Sequence, residues 1–110
     1  MRTGSQSADV ASFIYVIAAS PEGPCKVGLS KHPDKRLRQL QTGHPVRLTL
    51  HHTLAVDVQK VALLERIIHK TIGYRKTHGE WFDMSVEDAI GEVEFAMIRY
   101  GDYANLRNFL

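Results

Sequence analysis

Two apolar runs separated by a Pro/Gly turn constrain this 110-residue chain more than any other feature. Residues 12–18 (SFIYVIA) are β-branched and aromatic, the composition of a buried strand. Ala19 to Pro24 (ASPEGP) is turn chemistry, and Cys25 to Ser30 (CKVGLS) reads as the strand that returns beside the first. A turn over 19–24 sets Ala18 opposite Cys25, Ile17 opposite Lys26 and Tyr15 opposite Gly28. Opposed residues share a sheet face. Tyr15 and Lys26 therefore project to one side as diagonal neighbours, with Cβ atoms ~7–8 Å apart.

The hairpin leads into alternating helices and strands. Pro33 and Asp34 in a first turn and Gly43 beyond the last bracket a short helix, which turns Leu37 and Leu40 inward. Leu48 to Val56 alternates as a third strand. Val58 to about Ile72 is amphipathic, with Val61, Leu64 and Ile68 in one stripe broadened by Leu63 and Ile67. Glu80 to Met84 reads as a short aromatic strand. Ser85 then caps a last helix, with Asp88 completing a capping box and Ile90, Val93, Met97 and Tyr100 as the expected buried stripe. The order predicts an α+β domain: a small central three-stranded antiparallel sheet flanked by helices, β-β-α-β-α, with a short C-terminal strand and helix. Residues 1–11 are expected to be a flexible leader, 12–100 the domain and 101–110 a tail.

Composition narrows the function classes. No apolar stretch approaches the ~20 residues that cross a bilayer, and the opening lacks the basic head and apolar run of a signal peptide, so no membrane role and a cytoplasmic location are expected. The single cysteine, Cys25, excludes an internal disulfide. The net charge of +2 conceals a division: Lys26 to Lys76 holds eleven Lys/Arg and three acids, net +8, and the rest sums to −6. The histidines, from His32 to His78, lie in that basic segment or just beyond it. Such asymmetry suggests a polyanion-binding face beside an acidic one, although lysines scattered over all sides would give the same total.

Several residues carry both a chemical and a plain reading. Gly28 opposite Tyr15 leaves a bare patch of sheet that a ligand can approach; the same residues also suit a core tyrosine, an edge lysine and a structural glycine. Glu65 shares a helical stripe with Ala62 and His69. It suits a buried carboxylate held by a cation or an i,i+4 surface pair with His69 worth about 0.2–0.5 kcal/mol. Adjacent His51 and His52 point to opposite faces of a strand, so no structural zinc site is expected.

Taken together, FIYVI, KVGLS and KRLRQLQTG resemble the GIY-YIG nuclease superfamily, especially its small phage and prophage branch with a KIG-like second element. Phe13-Ile14-Tyr15 matches GIY and Lys26-Val27-Gly28 matches YIG. The helix arginine of the family falls on Arg36, and its metal-binding glutamate on Glu65 within ALLERIIH. GEWF (Gly79 to Phe82) is similar to an ending common in that branch. Phe13 departs from the first glycine, and Lys26 replaces the second tyrosine, as in some active restriction enzymes of the superfamily.

The resemblance implies a metal-dependent endonuclease that hydrolyses DNA phosphodiesters. Tyr15 would act as general base, with Lys26 lowering its pKa or orienting the water. Arg36 would hold the scissile phosphate through its bidentate fork, with Arg38 a competing candidate. Glu65 would hold Mg²⁺ (or Mn²⁺). Gly28, His69 and Glu80 would support the site. Lys31, Lys35 and Arg38 are expected to contact backbone phosphates of single-stranded, duplex or branched DNA. One active site cuts one strand, so double-strand cleavage would require a homodimer or two events. The alternatives are a catalytically inactive nucleic-acid-binding protein on the same fold and a phage or prophage interaction protein using the acidic last helix.

Overall fold

The computed structural model describes residues 11–101, so the expected leader and tail fall almost wholly outside the described residues. The first strand, β1 (Ala11–Ala18), runs antiparallel to β2 (Cys25–Ser30) in the expected register, with Tyr15 opposite Gly28, Ile17 opposite Lys26 and Ala18 opposite Cys25. On its other side β1 pairs with β3 (Thr49–Asp57), where a bulge leaves His51 unpaired between Leu50 and His52. The expected three-stranded sheet has five strands. Beyond β2 lie β5 (Trp81–Phe82) and then β4 (Lys76–His78), giving the order β3-β1-β2-β5-β4, antiparallel throughout. Of these two, β5 lies within the short aromatic strand expected over Glu80 to Met84, whereas the three-residue β4 is too short to show a period of two. Gly79, at φ 57°, turns the chain between them.

Both faces of β1 are covered, which is why its apolar run is continuous rather than alternating. On one face Ile14, Val16 and Ala18 pack with Val27 against helices α2 (Val58–Thr71) and α3 (Val86–Tyr100), through Val61, Leu64, Ile68, Ala89 and Val93. On the other, Tyr15 and Ile17 pack with Leu48, Trp81 and the Leu37 and Leu40 side chains of α1 (Pro33–Thr42). A fully buried Ile, Val or Leu contributes roughly 1.5–3 kcal/mol. A one-residue slip of β1 would exchange the two sets of side chains between faces of different shape, so packing fixes the register.

Side chains cap the two longer helices. Asp57 accepts a hydrogen bond from Gln59 N–H at the head of α2, and Ser85 Oγ accepts one from Asp88 N–H at the head of α3. The start of α3 is also fastened to the hairpin turn, where Val86 N–H donates to Pro21 O and the Cys25 thiol donates to Met84 O. The inward stripe of α3 differs from expectation. Val86, Ala89, Val93 and Ala96 are buried, while Ile90, Met97 and Tyr100 pack at its margin. The small residues let the helix lie close to the sheet, and the longer ones close over its flanks. No described helix is long and apolar enough to cross a membrane.

Replacing Ser85 with alanine removes the cap and leaves the Asp88 N–H without its partner. Urea denaturation should show a loss of about 1 kcal/mol with an unchanged m value.

Candidate active site

Gly28 is the floor of the site. A Cβ at this position would lie 2.5 Å from Tyr15 Oη and 2.8 Å from Glu80 Oε1, so only glycine lets both polar atoms settle over the strand. Tyr15 is 1% exposed, with its ring among Ile17, Leu48 and the inward leucines of α1. Its hydroxyl oxygen accepts a hydrogen bond from Arg36, which reaches it from α1 and also contacts Gln39 at 3.4 Å. Of the four residues expected to converge on one sheet face, Tyr15, Lys26 and Arg36 do so, whereas the helix that carries Glu65 packs on the opposite face. Arg38, the competing arginine, is exposed.

Lys26 is almost buried, at 7% exposure. Its ammonium group lies 3.4 Å from Glu80 Oε1 and 5.7 Å from the centroid of the Trp81 ring. The opposite side of the site carries His44, whose ring stacks on Trp81 at 5.8 Å. Glu80 thus lies nearer the centre than a supporting residue would, and the Trp81–His44 stack stands beside it. A histidine in the loop after α1 and a tryptophan in a two-residue strand carry no local signal that they meet.

The electrostatics correct one expectation. Of the two roles expected for Lys26, lowering the Tyr15 pKa or orienting the water, burial outweighs the first: Tyr15 sits above its ordinary value of 10.0, chiefly because burial disfavours the phenolate. The Arg36 hydrogen bond opposes that rise, and the carboxylates of Glu80 and Glu65 add to it. Lys26 instead faces Glu80. Tyr15 therefore keeps its proton at neutral pH. Cys25 is likewise unreactive, its thiol pushed up to about 11 by burial.

Glu65 reaches the site by a different route. Its helix, α2, covers the sheet face opposite Tyr15, and β5 pairs with β2 only at Cys25 and Lys26. The outer edge of β2 beyond that point is covered by side chains of α2. His69 Nε2 donates to Val27 O at 2.7 Å, and Glu65 accepts from the Leu29 N–H. The His69 ring also rests on Phe82, at 5.1 Å. His69 and Glu65 are 3.8 Å apart, but they are partly buried clasps of a strand edge rather than the solvated surface pair. Burial raises the Glu65 pKa, His69 opposes the rise, and Glu80 adds to it. Glu65 thus approaches the Tyr15 face around the margin of β2, close enough to feel Glu80 and Lys26.

Lys31, Lys35 and Arg38 are exposed beside this centre. With Phe13 and His32 they line an open groove of about 590 Å³. Arg38 also borders a second groove of about 480 Å³ with Leu37, Gln41, Arg47 and Leu48. The acidic helix α3 packs on the opposite sheet face, where Glu94 pairs with His52 of β3 at 2.7 Å. Among the described residues, no three His, Cys, Asp or Glu side chains gather into a metal cage.

In comparisons with known proteins, the family model described as T5orf172 domain matches residues 12–97. No curated protein and no solved structure gave a match.

An alkaline absorbance titration should contain a component ionising above pH 10.0 that Tyr15→Phe deletes. Native Tyr15 holds its proton where the unfolded chain has lost it, so its contribution to stability is complete below pH 10.0 and lost as the pH rises further. Persistence of the component in the variant would assign it to another tyrosine.

Proposed function

Since this chain belongs to the T5orf172 domain family, a phage-type domain that suggests nuclease or DNA-binding work, we propose that it is a metal-dependent endonuclease of GIY-YIG type acting on DNA phosphodiesters. The observation that carries the reading is that Tyr15 and Glu80 close over Gly28, with Arg36 on the tyrosine and Lys26 on the glutamate, while Glu65 reaches the margin of the same strand.

Arg36 is suited to opposing charge on the phosphoryl oxygens, since its fork offers donors beyond the one used on Tyr15. Tyr15, protonated and fixed by burial, orients the attacking water through its oxygen rather than serving as a phenolate. Lys26 adds positive charge at the same point. Glu65 would hold the divalent ion, and its surroundings fit one. Burial and the nearby Glu80 both disfavour its negative charge, and a cation would relieve both effects. With so few protein ligands, Mg²⁺ or Mn²⁺ would take most of its shell from water and substrate. When bound, such an ion supplies Lewis acidity toward the phosphate and stabilises the leaving oxygen. Charge arithmetic favours the same conclusion. The two cations and two carboxylates cancel, so a divalent ion leaves the site positive toward a phosphate.

Lys31, Lys35 and Arg38 extend that attraction along the groove beside α1, and the acidic α3 stays away from the phosphate path. A homodimer would bring two such sites to a duplex.

Glu65→Gln keeps an acceptor for the Leu29 N–H but removes the charge that holds the ion. Metal-dependent cleavage should fall by at least ~10²-fold, while DNA binding persists or tightens in a mobility-shift assay. Undiminished cleavage would leave Glu65 with only its role at the strand edge. Arg38→Ala should weaken binding to all duplex sequences alike. The slope of log affinity against log salt should become shallower by roughly 0.9, one phosphate contact.

A further inference from the structure

We propose that Glu80 is the general base of this site: its carboxylate takes the proton from an attacking water that it and Tyr15 hold at the rim of the site beside Gly28. The inference rests on the nuclease reading above and assigns the one role that a protonated tyrosine leaves open.

Three features fix Glu80 where it is. Gly79 turns the chain at φ 57°. The backbone carbonyl of Glu80 accepts the Val27 N–H at 3.1 Å, which seats the residue on the edge of β2. Its side chain then folds over the strand to meet Lys26 at 3.4 Å. Glu80 Oε1 and Tyr15 Oη lie 2.8 and 2.5 Å from one point above the Gly28 Cα. Two oxygens so close to a shared point are near enough for one water to hydrogen-bond to both. Any residue larger than glycine would fill that position.

The two oxygens differ in what they can do with a proton. Burial keeps the phenol protonated, and Arg36 already donates to its oxygen, so it can direct a water but is a poor acceptor. Glu80 is paired with a lysine, retains 40% of its side-chain exposure and can return a proton to solvent. The reaction balances without further groups. As the water oxygen bonds to phosphorus, its proton passes to Glu80 Oε1. The bond from phosphorus to the leaving sugar oxygen breaks with its electron pair, and that oxygen takes a proton from solvent. Glu80 then releases its own, and the products are a phosphomonoester and an alcohol. A plain structural role, neutralising Lys26, would need the pair but not the placement of Oε1 beside Tyr15 Oη.

The test is single-turnover cleavage of duplex DNA by the full chain at saturating Mg²⁺ across pH, comparing wild type, Glu80→Gln and Glu80→Asp. Circular dichroism and metal-free DNA binding serve as controls for folding. The titratable groups beside Glu80 are Tyr15 from β1, Lys26 from β2 and Glu65 from α2, and the substitutions leave all three unchanged in sequence. Glu80→Gln should cut ~10²–10⁴-fold more slowly, with the rise of rate from acid to neutral pH abolished and DNA affinity kept or increased. Glu80→Asp, which retains the carboxylate, should keep the rise at a reduced rate. A Glu80→Gln rate within about threefold of wild type, well short of the effect of a lost general base, overturns the proposal. So does a slow variant whose pH profile is unchanged. Absence of cleavage by wild type with Mg²⁺ or Mn²⁺ would sink the nuclease reading itself, whereas an active wild type with an indifferent Glu80 sinks only this inference.

Discussion

The outer edge of β2 is the constraint on which the rest of the structure turns. A strand edge presents N–H and C=O groups that need partners when water is excluded. Here β5 supplies them only as far as Lys26, with the Glu80 carbonyl reaching Val27 N–H. His69 and Glu65, one helical turn apart on α2, take the next two groups, Val27 C=O and Leu29 N–H. The spacing of the two side chains along α2 matches the spacing of outward-facing groups on β2. One contact thus sets the height of the helix along the sheet and brings a carboxylate from one layer to the boundary of the other. Removing it would misplace Glu65 as well as loosen the helix.

The site itself is assembled by subtraction. Gly28 withholds a side chain, and the space above it is taken by a tyrosine oxygen from β1 and a carboxylate from the β4–β5 turn. The surrounding charges balance in sign but not in environment. Lys26 and Tyr15 are buried, while Glu80 is partly open to solvent. Buried groups change protonation reluctantly, and open ones exchange protons with water readily. Geometry brings the groups together, and the gradient of exposure divides their chemistry.

The sequence reveals most of what depends on neighbours in the chain. The register of the hairpin follows from one turn length, and with it the shared face of Tyr15, Lys26 and Gly28. The cap at Ser85 lies beside the helix it begins. Less legible were features decided by long-range contact. The two-residue β5 exists only because β2 offers an edge to pair with. The stripe of α3 rotated toward Ala89 and Ala96 because the sheet rewards close approach more than side-chain size. The tyrosine's pKa moved opposite to expectation because residues from three separate elements bury it, and proximity to Lys26 in the strand pairing says nothing about that burial.

The opposition of basic and acidic helices across the sheet has a kinetic meaning. With α1 and its neighbouring lysines on one face, and the acids of α3 sharing the other with the basic α2, the helices α1 and α3 carry opposite charge on opposite sides of the sheet. In the field of a long polyanion such a body experiences a torque as well as a pull. If the partner is DNA, α1 and its lysines would turn toward it within the ~8–10 Å over which charges are felt at physiological salt, and excess salt would erase that orientation along with the attraction.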